Sequence, residues 1–156
     1  MAVSVGDIAP DFALSNQHGE EFKLSEYKGK PVVLVFYPLS FSGTCTGEMC
    51  ELRDNLDVFK DAKVELVAIS VDSKFTQAAF AEAESYEFQL LADFWPHGEV
   101  TKLYDAFLEE RGHGTRATYV INHDQIVVAK FTTSPGEARD MVQLPQRTRT
   151  SLGHYL

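Results

Sequence analysis

Two cysteines, Cys45 and Cys50, stand five positions apart, and the chain has no others. A thiolate is both a nucleophile and a redox group, so this pair is the first place to look for chemistry. The residues around it show how it is presented. Pro31-Val-Val-Leu-Val-Phe-Tyr-Pro38 is an almost unbroken apolar run between two prolines. That is the pattern of a strand buried on both faces, as in a parallel sheet. Leu39-Ser-Phe-Ser-Gly-Thr44 is turn-forming, and from Thr44 the apolar residues Met49, Leu52, Leu56 and Phe59 recur every three or four positions. The period predicts a helix reaching about Lys60. Thr44 is its candidate cap, with Glu48 inside the first turn. Cys45 then sits at a helix N-terminus, just past the carboxyl end of a buried strand. Unpaired N–H groups and partial positive charge at that place stabilise a thiolate.

Composition narrows what this chemistry serves. A chain of 156 residues with 44% apolar and 24% charged residues is one globular domain's worth, residues 1–156. The formal charge of −9 disfavours nucleic acid and anionic membranes as partners. No apolar run approaches the ~20 residues of a membrane helix. Met1-Ala-Val-Ser-Val-Gly6 has neither a basic region nor an apolar core of a signal peptide. Two cysteines make no secreted disulfide framework, so the reading is a cytoplasmic protein with a catalytic or redox-sensing pair. The bland alternative is two packed thiols acting as small hydrophobes. His18, His97, His113, His123 and His154 are scattered, and neither they nor the cysteines show zinc-site spacing. Gly112-His-Gly114 lacks the rest of a phosphate or dinucleotide motif. The sequence therefore predicts no metal and no organic cofactor.

The elements that must position the cysteines follow from period and punctuation. Residues 12–15 and 20–24 flank Gln17-His-Gly19 as a β-hairpin. Val64–Val71 is a second buried strand. Ser73 caps a helix to about Ala83, with Phe75, Ala79 and Phe80 facing the core, and Phe88–Ala92 is a third strand. A helix is predicted over about 98–107. Strands 117–121 and 126–131 flank the turn Asn122-His-Asp-Gln125. A last helix opens after Ser134-Pro135, and Pro145 is expected to end or kink it. The tail from Leu144, with Arg147 and Arg149, is the least interpretable stretch. The order of elements is that of a thioredoxin-like α/β sandwich with a central mixed sheet, flanking helices and an N-terminal hairpin.

Pro38, Ser42 and Cys45 match the pattern Pro-x-x-x-Thr/Ser-x-x-Cys, and Gly6-Asp-x-Ala-Pro-Asp-Phe12 is a matching opening. With Arg116 in Thr115-Arg-Ala-Thr-Tyr-Val-Ile-Asn122, the chain resembles the peroxiredoxins over roughly residues 3 to 140. Asp93-Phe-Trp-Pro-His-Gly98 and the length are most similar to the alkyl hydroperoxide reductase E branch. The resemblance implies a thiol peroxidase in which Cys45 attacks hydrogen peroxide or an organic hydroperoxide. It also implies a thioredoxin-like, mycoredoxin-like or low-molecular-weight thiol reductant, and a homodimer joined through a loop-rich edge.

Thiolate formation alone does not make such an enzyme. A free cysteine with a pKa of ~8.5 is already a few per cent ionised at pH 7, so lowering that value gains on the order of tenfold. Enzymes accelerate by about a millionfold or more. The site must also hold the peroxide and stabilise the departing oxygen. By the resemblance, Arg116 hydrogen-bonds the thiolate and the peroxide oxygens, Ser42 bonds the peroxide, and Pro38 covers the sulfur. Composition alone leaves Ser40 as available as Ser42, and Arg116 as a surface strand residue. Glu48 either orients Arg116 or complements the helix dipole. Phe94 and Trp95, after a strand's carboxyl end, either line the peroxide entrance or are core or dimer-interface aromatics.

Cys50 departs from the branch, which generally works with one cysteine. A second cysteine five places on is similar to bacterioferritin comigratory protein-type peroxiredoxins, where it resolves the sulfenic acid. The other reading is a packed helix thiol, with an external thiol doing that work. Five helical residues rise about 7.5 Å and turn about 140°, whereas disulfides rarely tolerate Cα atoms more than ~7 Å apart. A Cys45–Cys50 bond therefore requires the helix to unwind, which Gly47 eases by ~1 kcal/mol relative to alanine. Two other classes of function stand beside the peroxidase. One is a redox sensor or chaperone that passes oxidation to a partner. The other is a thiol–disulfide oxidoreductase, whose dithiol is normally Cys-x-x-Cys.

Overall fold

The computed structural model describes residues 3–61, 63–133 and 144–153. In chain order its elements begin with β1 (Ala13–Ser15), β2 (Glu21–Lys23), a 3-10 turn (Leu24–Tyr27) and β3 (Val32–Phe36). Helices α1 (Gly43–Asp54) and α2 (Leu56–Asp61) lead to β4 (Glu65–Ser70), α3 (Lys74–Glu84), β5 (Gln89–Ala92) and α4 (Glu99–Leu103). Short strands β6 (Phe107–Leu108) and β7 (His113–Gly114) precede β8 (Arg116–Ile121), β9 (Val127–Thr133) and α5 (Leu144–Leu152).

All five residues of β3 are buried, because it lies inside a mixed sheet of order β2-β1-β5-β4-β3-β8-β9. β3, β4 and β5 are parallel, while β8 and β9 close one side antiparallel. The N-terminal hairpin β1–β2 joins the other edge against β5. Alternate residues of β3 feed two cores, as strand geometry requires. Val33 and Val35 pack with Met49, Leu52, Phe59, Phe80 and Leu152, so α1, α2, α3 and α5 lie on that face. Val32, Leu34 and Phe36 pack with Phe12, Phe22, Val100, Tyr104 and Tyr119 on the other. This is the mixed α/β sandwich that the order of elements predicts.

Three expectations need correction. The cysteine helix is capped at Ser42 rather than Thr44 and breaks at Asn55. Cys45 is still in the first turn, but Glu48 lies beyond it. Phe75 and Ala79 do not face the core; Phe75 is exposed, and the buried residues of α3 are Gln77, Phe80 and Ala81. Gln77 can go inside because every polar atom of its amide finds a partner there. The helix predicted to Phe107 stops at Leu103. Asp105 turns the chain with a φ of 56°, and Phe107 folds back over Gly98, where a Cβ would come within 2.4 Å of its ring. Pro145 lies within α5; the predicted helix start after Ser134-Pro135, and with it the expected break at Pro145, lies outside the described residues.

Candidate active site

Register explains why Arg116 meets the cysteine helix. β8 runs antiparallel to β3, with Val33 opposite Val120 and Val35 opposite Thr118. Directly opposed residues share a face, and alternate residues along a strand return to it. Two positions beyond Thr118, Arg116 therefore points to the α1 side, level with the carboxyl end of β3 where Pro38 ends the strand. It is buried rather than a surface strand residue.

On α1, Cys45 and Glu48 are three positions apart and so project together. One guanidinium reaches both. Nη2 of Arg116 donates to Cys45 Sγ at 3.2 Å, and Nη1 donates to the Glu48 carboxylate. All three side chains are buried. The planar guanidinium is thus held by a fixed acid on one side and faces the sulfur with the other. Glu48 acts here as the partner of Arg116, not as a first-turn carboxylate favouring the helix dipole.

The turn between β3 and α1 is fixed from below. The Tyr37 hydroxyl contacts Ser40 Oγ at 2.8 Å and donates to Gln77 Oε1 at 3.0 Å. Ser40 Oγ also donates to Gln77 Oε1 at 2.7 Å. The Ser40 N–H donates to Asp72 Oδ2 at 2.8 Å, and Asp72 Oδ2 accepts from Ser70 Oγ at 2.6 Å. Gln77 Nε2 donates to Ser70 Oγ and to the Leu91 carbonyl. Burial raises the Tyr37 phenol well above its ordinary range, so it remains a neutral donor. Ser40 is consumed by this network. Ser42 is half-buried at the helix cap, and its Oγ donates to the Leu39 carbonyl at 3.0 Å. That bond uses the hydroxyl proton and leaves oxygen lone pairs as acceptors. Pro38 is buried.

Phe94 and Trp95 follow β5 at the same sheet end, but they line a separate cavity of about 510 Å³ with Phe75, Ser15 and Ser73. None of Pro38, Ser42, Cys45 or Arg116 lines it. Phe75, Phe94 and Trp95 are exposed, so the core reading of these last two does not hold. Cys50 is half-buried on α1, beside Tyr86 and Glu84. Both cysteines are free thiols in this structure. Among the described residues no cluster of metal-ligating side chains occurs, and no helix is long and apolar enough to cross a membrane. Sequence reasoning missed Tyr37, Asp72 and Gln77 beneath the turn and Tyr86 behind Cys50. A glutamine between Phe75 and Phe80 was a weak signal, since it reads equally well as the wet side of a helix.

A thioredoxin-fold scaffold carrying a buried cysteine against an arginine defines a thiol-dependent oxidoreductase, and comparison with known proteins specifies which. Residues 5–130 match the AhpC/TSA family, and the chain belongs to it. It is 41% identical over 139 residues to alkyl hydroperoxide reductase E of Mycobacterium tuberculosis, covering 88% of this chain and 91% of that one. It is 32% identical over 137 residues to peroxiredoxin Bcp of Bacillus subtilis, covering 84% and 86%. The crystal structure of peroxidoxin BcpB from Mycobacterium tuberculosis superposes with a TM-score of 0.81 at 30% identity, covering 96% of both chains. The protein is a peroxiredoxin, an enzyme with thiol-dependent peroxidase activity. These relatives favour the peroxidase over the sensor, chaperone and disulfide-exchange alternatives.

Proposed function

We propose that the peroxidase reaction runs at Cys45, with Arg116, Ser42 and Pro38 as its partners. The observation that carries this is the single guanidinium bonded to both Cys45 Sγ and Glu48. The Cys45 thiolate attacks one oxygen of R–O–O–H; an S–O bond forms as the O–O bond breaks. The sulfur loses two electrons, and the departing RO⁻ takes up a proton as an alcohol, or as water from hydrogen peroxide. Arg116 holds positive charge where the oxygens pass and stabilises the negative charge that develops. Glu48 fixes the guanidinium plane. Ser42 Oγ accepts the peroxide O–H, and Pro38, which has no N–H, screens the sulfur from water.

Cys50 then attacks the Cys45 sulfenic acid, forming an S–S bond and releasing water. A dithiol of thioredoxin or mycoredoxin type, or two low-molecular-weight thiols, restores the pair. The enzyme acts in the cytoplasm as a homodimer. Exposed Leu39, Phe41, Phe75, Phe94 and Trp95 support a partner surface; Phe94 and Trp95 belong to that edge rather than to the peroxide entrance.

Replacing Cys45 with serine is expected to abolish peroxide consumption, and full retained activity would overturn the assignment. Intact mass after one equivalent of hydrogen peroxide tests the second step. Wild type should lose about two mass units, and Cys50→Ser should gain about sixteen. Wild type that shows only the sulfenic acid and mixed disulfides would leave the resolving role to an external thiol.

A further inference from the structure

Thr46, Cys50 and Arg53 follow one another at helical spacing on α1 and face the bend Glu84-Ser-Tyr86 between α3 and β5. The Tyr86 hydroxyl lies 3.4 Å from Cys50 Sγ and donates to the Thr46 carbonyl at 3.4 Å. Glu84 Oε2 is 3.6 Å from the same sulfur, and Arg53 Nη1 donates to the Glu84 carbonyl at 2.7 Å. The Tyr86 ring is fixed by the core, edge-on to Phe80 at 5.0 Å and stacked on Phe88 at 5.2 Å. Its hydroxyl is therefore a rigid point against which the first turns of α1 are held.

Both cysteines belong to one unbroken helix, Gly43–Asp54. A bond between them requires residues 45–50 to unwind, and that motion carries the Thr46 carbonyl and the Cys50 sulfur away from Tyr86. We propose that Tyr86 is a positioning residue that latches α1 closed and thereby sets how long the Cys45 sulfenic acid survives before Cys50 reaches it. The proposal rests on the reading of Cys50 as the resolving thiol. While the latch holds, Cys45 stays beside Arg116, which serves the first step. The same delay exposes the sulfenic acid to a second peroxide, which adds one oxygen to give the sulfinic acid and leaves as water or alcohol.

Tyr86→Phe keeps the ring and removes the hydroxyl. The full-length reduced protein is mixed with hydrogen peroxide, quenched at intervals and weighed intact. The first step, whose rate rises with peroxide, should stay within about twofold of wild type. The second, independent of peroxide, should quicken by about threefold, as expected for loss of one modest hydrogen bond. Less sulfinic acid should form at equal peroxide, and amide exchange over residues 44–50 should speed up. An unchanged or slower second step overturns the latch, as does unchanged exchange. A variant that slows the first step severalfold marks general loosening of the site and overturns it too. Wild type that never loses two mass units removes the resolving role of Cys50 and the latch together. Wild type that does so, with Tyr86→Phe behaving identically, removes the latch alone.

Discussion

Arg116 and Glu48 are each 2% exposed, and such a pair has two separable consequences. Removing one partner strands a buried charge, at a cost of about 3–5 kcal/mol, whereas replacing both with apolar residues of similar volume is often neutral. Arg116→Met should therefore lower the urea midpoint sharply and slow peroxide consumption by about a hundredfold or more. The double variant Arg116→Met with Glu48→Leu should recover most of the stability and none of the activity. Recovery of both would show that the arginine serves only folding. Arg116 cannot be picked out by local pattern, since an arginine in a strand is most simply a surface residue. The peroxiredoxin resemblance nominated it, and the strand register supplies the physical reason.

At the scale of elements, the site depends on how firmly the turn between β3 and α1 is held. Gln77 is fully buried in α3 and bonds both ends of the network beneath that turn. Gln77→Ala leaves a cavity and unpaired hydroxyls, so stability should fall by about 2–4 kcal/mol in urea unfolding. The peroxide step should slow as well, because the turn carries Ser42 and leads into Cys45. A stable variant with unchanged kinetics would show that the turn keeps its shape unaided. Here the sequence was legible only in part. Strand, turn and helix were each readable from period and prolines. The inward face of α3 is not legible along the chain, because Phe75 is more apolar than Gln77 and only partners in β4 and β5 make that glutamine an inside residue.

For the whole molecule, burial of tyrosines links folding to alkaline pH. Tyr119 is pushed up to about 12, chiefly by burial and then by the charge of Asp105. Tyr37 and Tyr104 are also raised, chiefly by burial. An unfolded tyrosine titrates near ~10. The folded state therefore keeps protons that the unfolded chain releases. The stability tied to them is intact below about pH 10 and is lost as pH rises through the folded values. The urea midpoint should fall between about pH 10 and 12, less steeply in Tyr119→Phe, and a flat profile would contradict this account.

What the sequence by itself determined is the part written in neighbouring residues: a strand bounded by prolines, a turn, and a helix with Cys45 in its first turn. Period, capping and chain-breaking act over a few positions, so they can be read along the chain. Tertiary structure alone decided which distant groups surround that sulfur. Arg116 is 71 positions away and arrives through the pairing of β8 with β3. Tyr86 is 36 positions from Cys50 and arrives through the return of α3 onto β5. Such meetings depend on strand register and helix docking, which are set by the packing of the whole sheet and leave no local mark.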